Sequence, residues 1–258
     1  MAHTIDLNAD LGEGFAHDPV LMPLISSANI ACGGHAGDVD SMRTAVRLAR
    51  IHGVVVGAHP SYPDREHFGR VSMQLEPMRL VEILTAQLWS LKAVCIEAGL
   101  SVAYVKPHGA LYNDAARDPA LARLIAGSIH EIDPALAVMG LSGSALLDAA
   151  RECGLTVIAE AFVDRAYRND GSLVPRGEPG AVLADPQHAL AQAADLTLRG
   201  GVRAQDGTWL PLQADSLCLH GDHPHALHFA TLLHAHLRQQ GVQIASTLQR
   251  RAQGAVQT

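Results

Sequence analysis

The sequence predicts a single α/β domain in which parallel strands close into a (β/α) barrel. Three observations support this prediction. Strand-like and helix-like stretches alternate along the whole chain, which is typical of parallel strands joined by helices. Hydrophobic residues make up 48% of the chain, charged residues 17% and aromatic residues 4%, and this composition suits strands buried under helices. Polar side chains follow nearly every predicted strand, as expected where strand ends share one catalytic rim.

Seven strand-like segments are recognisable as short apolar runs that end at glycine, proline or polar residues. They lie at residues 5–9, 28–31, 54–58, 102–105, 136–139, 155–159 and 216–219. Seven such units with right-handed crossovers are best closed as a barrel, and the alternative is an open, doubly wound sheet. Since no linker divides the chain, residues 1–258 are expected to form one catalytic barrel domain.

Helical periodicity fills the connections between these strands. Predicted helices start after a cap at Asp38, at Pro77, at Pro119, near residue 145, at Pro186 and at Pro224, and the chain after residue 241 is expected to fray. Residues 168–180 are rich in glycine, proline and charge, which predicts a long loop that could act as a lid. The dipeptide at residues 206–207, Asp-Gly, predicts a hairpin.

Charge and cysteine content exclude several classes of function. The net charge is -7, the pI is about 6.1 and no basic cluster is present, so nucleic acid is not an expected partner. The four cysteines lie far apart, which predicts free thiols in a reducing compartment. No signal peptide or membrane-spanning apolar run is recognisable, so we expect a cytoplasmic protein with no membrane partner.

The most informative stretch is Lys-Pro-His-Gly-Ala-Leu-Tyr-Asn at residues 106–113, directly after a predicted strand. Pro107 has no N–H to donate, so the strand must end there, and Gly109 allows a tight exit. His108 offers a metal ligand or a general base, and Lys106 offers a cation for a developing negative charge. One such turn also fits a plain strand-to-helix connection, so its meaning depends on whether the pattern recurs.

The pattern does recur at other strand ends. Acids, imidazoles and a further cation stand there at Asp10, Glu13, His35, His59, Glu160, Asp164, Arg165, His220 and Asp222. A purely structural sheet has no reason to carry such residues at nearly every strand end, so the sequence favours an enzyme. Two imidazoles and one carboxylate form a common set of ligands for a divalent metal ion. Asp10, His59 and His108 would be such a set, with His35 as a substitute.

Motifs for phosphate binding are absent from the sequence. It contains no G-x-x-x-x-G-K-[ST] and no G-x-G-x-x-G after a strand. The glycines at residues 12–14 and 33–34 could expose backbone N–H groups to an anion. Any nucleotide site in this chain would therefore lack the usual phosphate loop.

Five ordered sequence blocks closely resemble the LamB/YcsF family. They are residues 6–13 (Asp-Leu-Asn-Ala-Asp-Leu-Gly-Glu), 29–38 (Asn-Ile-Ala-Cys-Gly-Gly-His-Ala-Gly-Asp), 57–64 (Gly-Ala-His-Pro-Ser-Tyr-Pro-Asp), 106–112 and 160–165 (Glu-Ala-Phe-Val-Asp-Arg). The resemblance extends from residue 5 to about residue 245. It implies a barrel related to the glycoside hydrolase/deacetylase superfamily, in which the positions of Asp10, His59 and His108 match metal-ligand strand ends.

The resemblance also implies ATP-dependent opening of 5-oxo-L-proline to L-glutamate, with ATP as cosubstrate and 5-oxoprolinase subunits B and C as partners. We expect catalytic roles for Asp10, Glu13, Lys106, His108, Glu160 and Arg165, and substrate contacts by Asn8, Gly34, His35, Tyr112 and Asp164. A five-membered lactam is an unstrained amide that water attacks poorly, and phosphorylation of its carbonyl oxygen would supply a better electrophile. Lacking a phosphate loop, this chain would be the hydrolytic part of the complex.

In that mechanism, a water activated by a metal ion or a carboxylate attacks the ring carbonyl. Lys106 and Arg165 would stabilise the oxyanion, and Asp10 or Glu13 would act as general base. Two alternatives stay open at this point. One is a metal-dependent deacetylase-like hydrolase, although the low aromatic content disfavours a long saccharide groove. The other is a non-catalytic subunit whose barrel only binds the substrate.

Overall fold

The computed structural model describes residues 3–219 and 226–250. Its strands are β1 (Thr4–Leu11), β2 (Ser27–Ala31), β3 (Val55–His59), β4 (Tyr104–Val105), β5 (Ala137–Leu141), β6 (Thr156–Phe162), β7 (Gly201–Arg203), β8 (Trp209–Pro211), β9 (Ser216–Leu219) and β10 (Gln243–Ile244). Seven of them pair in parallel in the order β1-β2-β3-β4-β5-β6-β9, and β9 pairs with β1 to close the barrel. The predicted seven-stranded barrel is therefore confirmed, and the doubly wound alternative is wrong.

The helices of the described residues surround this barrel. They are α1 (Asp18–Leu21), α2 (Val39–His52), α3 (Pro77–Glu97), α4 (Gly109–Arg117), α5 (Pro119–Ile132), α6 (Ala145–Glu152), α7 (Pro186–Ala194) and α8 (Ala226–Gln239). Asp38 caps α2 as predicted, because its carboxylate accepts a hydrogen bond from the backbone N–H of Ser41. None of these helices is long and apolar enough to cross a membrane.

Three elements, α1, α4 and β10, were not predicted from the sequence, and the last two affect the site and the barrel. α4 starts at Gly109, whose φ of 58° is unusual for a helix start and whose residue type argues against a helix. β10 pairs with the first residues of β1, and Leu248 packs against the apolar cluster inside the barrel. The expectation of a frayed end after residue 241 is therefore wrong for residues 243–250, which close the amino-terminal end of the barrel.

The interior of the barrel has a polar wall and an apolar wall. Along β1, the odd-numbered residues of the stretch 5–11 pack outward in the main hydrophobic core. The even-numbered residues Asp6, Asn8 and Asp10 point inward, where they bond to side chains of β2, β9 and the lysine after β4. The apolar wall is a separate cluster of Tyr104, Ala137, Met139 and Ile158. This division places a ladder of buried polar groups directly beneath the carboxyl-terminal mouth.

Candidate active site

A cavity of about 430 Å³ opens at the carboxyl-terminal mouth of the barrel. Seven of the residues predicted from the sequence line it, namely Asp10, Glu13, His59, Lys106, His108, Tyr112 and Arg165. They come from different strand ends, and the parallel barrel brings them together. The described strand ends thus form one site, as the recurrence of polar residues predicted.

Lys106 is the central cation of the cavity floor. Its ammonium lies 2.6 Å from Glu160 Oε1 and donates hydrogen bonds to Asp10 Oδ1 (3.2 Å) and Asn8 Oδ1 (3.1 Å). Its side chain is only 3% exposed. Burial by itself would lower the pKa of Lys106, but the nearby carboxylates outweigh that effect and raise the pKa well above its ordinary value. Lys106 is therefore a fixed positive charge between two carboxylates.

Glu160 lies behind the cavity wall and is completely buried. Its Oε2 accepts a hydrogen bond from the hydroxyl of Tyr112 at 2.7 Å, and its Oε1 faces Lys106. Tyr112 itself lines the cavity and packs edge to face on Phe162, with ring centroids 5.9 Å apart. Among the residues that the structure describes, Lys106 and Tyr112 thus connect Glu160 to the cavity.

His59 and His108 point two nitrogens at each other. His59 Nδ1 lies 2.7 Å from the backbone oxygen of Lys106, and His108 Nε2 lies 2.9 Å from that of Phe68. A carbonyl oxygen only accepts hydrogen bonds, so both of these nitrogens carry hydrogen. In the neutral rings, His59 Nε2 and His108 Nδ1 then present lone pairs across 2.9 Å. Two facing lone pairs repel, and a cation held by both nitrogens removes that repulsion.

Carboxylates flank this pair of nitrogens. Asp10 Oδ2 lies 3.4 Å from His59 Nε2, and Glu13 Oε1 lies 3.5 Å from His108 Nδ1. Ligand atoms of Glu13, His35, His59 and His108 all lie within 4.8 Å of one another. Imidazole nitrogens with carboxylate oxygens are ordinary ligands of divalent transition metals. The chemistry of this donor set therefore fits a metal ion.

His35 is less suited than the other two histidines to be a ligand. Its ring stacks on His108, with centroids 3.6 Å apart and an interplanar angle of 2°. Lone pairs of two stacked rings lie in parallel planes, so one ion cannot lie in the plane of both. His35 Nε2 instead lies 3.0 Å from Glu13 Oε1 and holds that carboxylate in place. The geometry favours the predicted histidine pair over the substitute.

Burial keeps two of these imidazoles neutral. Burial is the larger cause and the electrostatic influence of His59 the smaller one, and together they lower the pKa of His35 to about 3 and that of His108 to about 2. The unfolded chain binds a proton at each position below about pH 6.5, whereas the folded chain stays unprotonated until far lower pH. The stabilisation that comes from these neutral histidines is therefore fully present above pH 6.5 and is lost as the pH falls below that value.

We therefore predict an acid-sensitive limb in the stability of the metal-free protein, which is a fall in its unfolding free energy as the pH drops below 6.5. Below pH 6.5, each of these histidines should contribute a loss of about 1.4 kcal/mol in unfolding free energy per pH unit. Urea unfolding at a series of pH values should show a shallower limb in His108→Gln. The exposed His67 is the control, because its hydrogen bond to Asp64 raises its pKa, so His67→Asn should not make the limb shallower. An unchanged slope in His108→Gln would show that this ring is already protonated when folded.

Two glycines let the loop after β3 approach the start of α4. Gly109 has a φ of 58°, and a Cβ there would lie 2.4 Å from the backbone oxygen of Gly69. A Cβ on Gly69 would in turn meet His35 and His108 at 2.9 and 3.0 Å. Glycine at both positions therefore permits the close packing of the loop on the histidine cluster.

Gly109→Ala is predicted to destabilise the protein more than the same change at Gly99. Gly99 is the matched control, since its φ of 70° is similar but nothing lies within 4 Å of its missing Cβ. Strain alone should make Gly99→Ala cost about 1 kcal/mol, and the clash should make Gly109→Ala cost about 1–2 kcal/mol more. Equal unfolding free energies of the two variants would contradict the close packing.

The wall of the cavity nearest to solvent carries guanidinium groups that the sequence analysis did not single out. Arg70, Arg117 and Arg176 line the cavity together with the predicted Arg165. Arg165 is buried and donates to the backbone oxygens of Val174 and Ala181. Burial lowers the pKa of Arg165, and the neighbouring charge of Arg176 lowers it further. The charge content of residues 168–180 signalled only Arg176 in advance, because Arg70 and Arg117 lie outside that segment and follow no strand pattern.

The predicted loop at residues 168–180 forms part of this wall. Its residues Leu173, Pro175, Arg176 and Gly177 line the cavity. Isolated bridges tie the loop to neighbouring segments, including one between Tyr167 and Leu173. The long loop is therefore present and lies over one side of the mouth, and a lid motion stays a prediction.

Some predicted site residues lie outside the described lining of the cavity. They are Asn8, Gly34, His35, Glu160 and Asp164. Asn8 is fully buried beneath Lys106, and Gly34 packs so tightly that a Cβ would lie 2.5 Å from both Gln87 Oε1 and Ser61 Oγ. His220 and Asp222 are outside the described residues. Direct substrate contact by these side chains stays a prediction.

The fold and this site together define a parallel (β/α)₇ barrel with a polar site at its carboxyl-terminal mouth. The chain belongs to the LamB/YcsF family, whose model matches residues 5–252. It is 48% identical over 242 residues to a Haemophilus influenzae protein named as the A subunit of 5-oxoprolinase, covering 94% of this chain and 99% of that protein. It is thus similar to that protein over almost its full length.

Solved structures show the same relationship. A lactam utilization protein from Thermus thermophilus has a TM-score of 0.89 and 42% identity, covering 94% of this chain and 99% of that chain. A peptidoglycan deacetylase from Bacillus subtilis has a TM-score of 0.51 and 10% identity, covering 99% of this chain and 95% of that chain. The latter likeness is one of fold alone, and it agrees with the predicted (β/α) barrel.

Proposed function

We propose that this chain is the A subunit of an ATP-dependent 5-oxoprolinase, which hydrolyses 5-oxo-L-proline to L-glutamate together with subunits B and C. The observation that carries the proposal is that Arg70, Arg165 and Arg176, here called the guanidinium rim, line the same cavity as the carboxylates, imidazoles and one lysine of its floor. A cyclic amide with a carboxylate substituent presents two matching ends. The near full-length similarity to a protein named as the A subunit of 5-oxoprolinase supports the same substrate.

The substrate carboxylate binds at the rim. Guanidinium groups pair with carboxylates through two parallel hydrogen bonds, and Arg70, Arg165 and Arg176 face the cavity. This orientation directs the lactam ring toward the floor. There the ring carbonyl, activated by phosphorylation of its oxygen, meets Lys106, whose charge stabilises the anionic phosphoryl group. The proton of the attacking water passes to a carboxylate of the floor, Asp10 or Glu13, and from there to the ring nitrogen as the ring C–N bond breaks. A second water hydrolyses the remaining acyl phosphate to the side-chain carboxylate of glutamate and inorganic phosphate.

The facing lone pairs of His59 and His108 fit a divalent metal ion as a resident cofactor. Asp10 and Glu13 would complete its protein ligands, and His35 would orient Glu13. When bound, such an ion polarises a carbonyl group or lowers the pKa of a water molecule. Asp10, Glu13, His59 and His108 would therefore have two roles. They would hold the ion, and they would orient the water and the ring carbonyl.

ATP acts in this scheme as a cosubstrate of the whole complex. The lactam is an unstrained amide that needs activation, and this chain has no phosphate-loop motif. Subunits B and C would therefore bind ATP and activate the ring, and this barrel would carry out the hydrolytic step. The four cysteines are all free thiols, which supports a place in the reducing cytoplasm.

Reconstitution tests this proposal. The chain should release no glutamate from 5-oxo-L-proline and ATP when it is alone, and the complete mixture with subunits B and C should release it. Omission of this chain from the mixture should abolish release. Glutamate release without this chain, or by this chain alone, would contradict the proposal.

The same assay separates the two alternatives. A non-catalytic binding role predicts that folded floor variants change KM and leave kcat intact. A deacetylase-like hydrolase predicts metal-dependent release of acetate from an acetylated amine by the isolated chain. The proposed function predicts neither result, because the floor residues act on the lactam in the assembled enzyme.

A further inference from the structure

A carboxylate lies deep inside the barrel, below the cavity. Asp6 on β1 is only 1% exposed. Its Oδ1 accepts hydrogen bonds from the hydroxyls of Ser26 (2.5 Å) and Ser27 (2.8 Å), and its Oδ2 accepts one from Ser216 (2.5 Å). The proposed reaction uses neither Asp6 nor these serines. A buried carboxylate is costly unless it is well bonded, so its presence on the polar wall calls for a role.

The hydrogen bond to Asp6 sets the direction of the next bond. Because Ser216 gives its only hydroxyl hydrogen to Asp6 Oδ2, its oxygen must act as an acceptor toward Asn8. Asn8 Nδ2 donates to it at 2.8 Å. An amide has its donor and acceptor on opposite branches, so Asn8 Oδ1 must then face the other way. On that side it accepts from Lys106 Nζ at 3.1 Å.

Asn29 reinforces this orientation. Its Oδ1 accepts from the hydroxyl of Tyr104 at 2.6 Å, so its Nδ2 faces the floor. There Nδ2 donates to Asn8 Oδ1 (2.7 Å) and to Asp10 Oδ1 (2.8 Å). A flipped Asn8 would place its NH₂ group against both this amide and the Lys106 ammonium, which also only donates. A single set of donor and acceptor directions therefore satisfies these hydrogen bonds, and the network ends at Lys106 and Asp10.

We propose that Asp6 and Ser216 are positioning residues, which orient Lys106 for the reaction through Asn8. The chain Asp6–Ser216–Asn8–Lys106, here called the floor relay, runs from the interior of the barrel to the cavity floor. Each residue of the relay accepts a hydrogen bond from the residue named after it. The Asp6 carboxylate therefore determines that Asn8 presents its Oδ1 acceptor to the Lys106 ammonium. The relay rests on the proposed function in one respect, which is the catalytic role proposed for Lys106.

A comparison of the variants Ser216→Ala and Ser27→Ala tests this proposal. Both serines are buried and both donate to Asp6, but only Ser216 belongs to the floor relay. Both variants should lose a similar amount of thermal stability. In the reconstituted enzyme, Ser216→Ala should lower kcat by about tenfold with little change in KM, since a charge-assisted hydrogen bond is weakened. Ser27→Ala should keep the wild-type kcat.

A second readout needs no substrate. The chain has two lysines, Lys92 and Lys106, so a protein carrying ¹³C-labelled lysine side chains gives two sets of NMR signals, which Lys92→Arg assigns. Ser216→Ala should shift the Lys106 signals, and Ser27→Ala should leave them in place. Equal shifts in both variants, or none in Ser216→Ala, would overturn the relay. Ser216→Cys, which keeps the side-chain volume but bonds weakly, gives the same test if Ser216→Ala does not fold.

The two readouts distinguish the failure of the relay from that of the proposed function. If the reconstituted enzyme makes no glutamate but the Lys106 signals shift only in Ser216→Ala, the relay stands and the proposed substrate is wrong. If the signals do not shift while the wild type is active, the relay is wrong and the proposed function stands. A loss of kcat in Ser27→Ala equal to that in Ser216→Ala would also overturn the relay.

Discussion

Lys106→Met is expected to lower kcat of the reconstituted enzyme by about 10²–10³, with a far smaller rise in KM. Lys106 is the one lysine at the cavity, and its ammonium lies on the floor where the phosphorylated ring carbonyl is proposed to react. Its contact with the anionic phosphoryl group should strengthen in the transition state, so its removal should affect turnover more than binding. Steady-state glutamate release by the wild type and the variant measures both constants.

The same substitution should also destabilise the fold, because the ammonium is an ion-pair partner as well. Methionine would leave the fully buried Glu160 uncompensated, and removal of one partner of a buried pair typically costs about 3–5 kcal/mol. The double variant Lys106→Met/Glu160→Gln should recover most of this loss, since Asp10 remains accessible to water in the cavity. It should not recover kcat, which separates the catalytic role of Lys106 from its structural role.

Lys92→Met is the matched control for this experiment. Lys92 pairs with Asp133 at 2.6 Å on the outside of the barrel, so the same change is made far from the cavity. It should cost at most about 1 kcal/mol and leave kcat unchanged. If Lys106→Met lowered the melting temperature and spared kcat, Lys106 would be an ion-pair residue that only orders the floor.

His59→Asn and His108→Gln are expected to lower kcat by about 10²–10⁴, because each removes a nitrogen that faces the reacting groups. The two amides are chosen so that the outer hydrogen bonds survive. Asparagine can place its N–H near the former Nδ1 of His59, beside the Lys106 carbonyl, and glutamine can place its N–H near the former Nε2 of His108. Any loss of activity then reflects the missing inward nitrogen.

Metal binding gives these variants a second measurement. Addition of a divalent transition metal ion should raise the melting temperature of the wild type, since a ligand that binds only the folded state stabilises it. The rise should disappear in both variants and persist in His67→Asn, which alters an exposed histidine. Full activity of chelator-treated enzyme with no bound metal would leave these histidines as acid–base and hydrogen-bonding groups.

The parallel barrel was predictable because its strands are short apolar runs that end abruptly. Pro107 ends β4, and the polar residues after β1, β3 and β6 mark the same rim. Parallel strands share one carboxyl-terminal edge, so residues far apart in sequence could be assigned to one site before any geometry was known. Asp10, His59 and His108 were grouped on this basis and on the family resemblance.

The depth and direction of side chains were not predictable in the same way. The pattern at a strand end does not tell whether a carboxylate faces the cavity, as Asp10 does, or lies behind a tyrosine, as Glu160 does. The stacking of His35 on His108 depends on the loop that follows β3. The loop arginines carry no periodic signal, and the floor relay links β1 to β9 across 208 residues of sequence.

A crystal structure of this chain with bound 5-oxo-L-proline would show whether the substrate occupies the proposed site. We predict that the substrate carboxylate contacts the guanidinium rim of Arg70, Arg165 and Arg176. The lactam carbonyl should lie on the floor, within reach of Lys106 and of the inward nitrogens of His59 and His108. A ring bound outside the mouth of the barrel, or with its carboxylate on the floor and its carbonyl toward solvent, would contradict the proposed function.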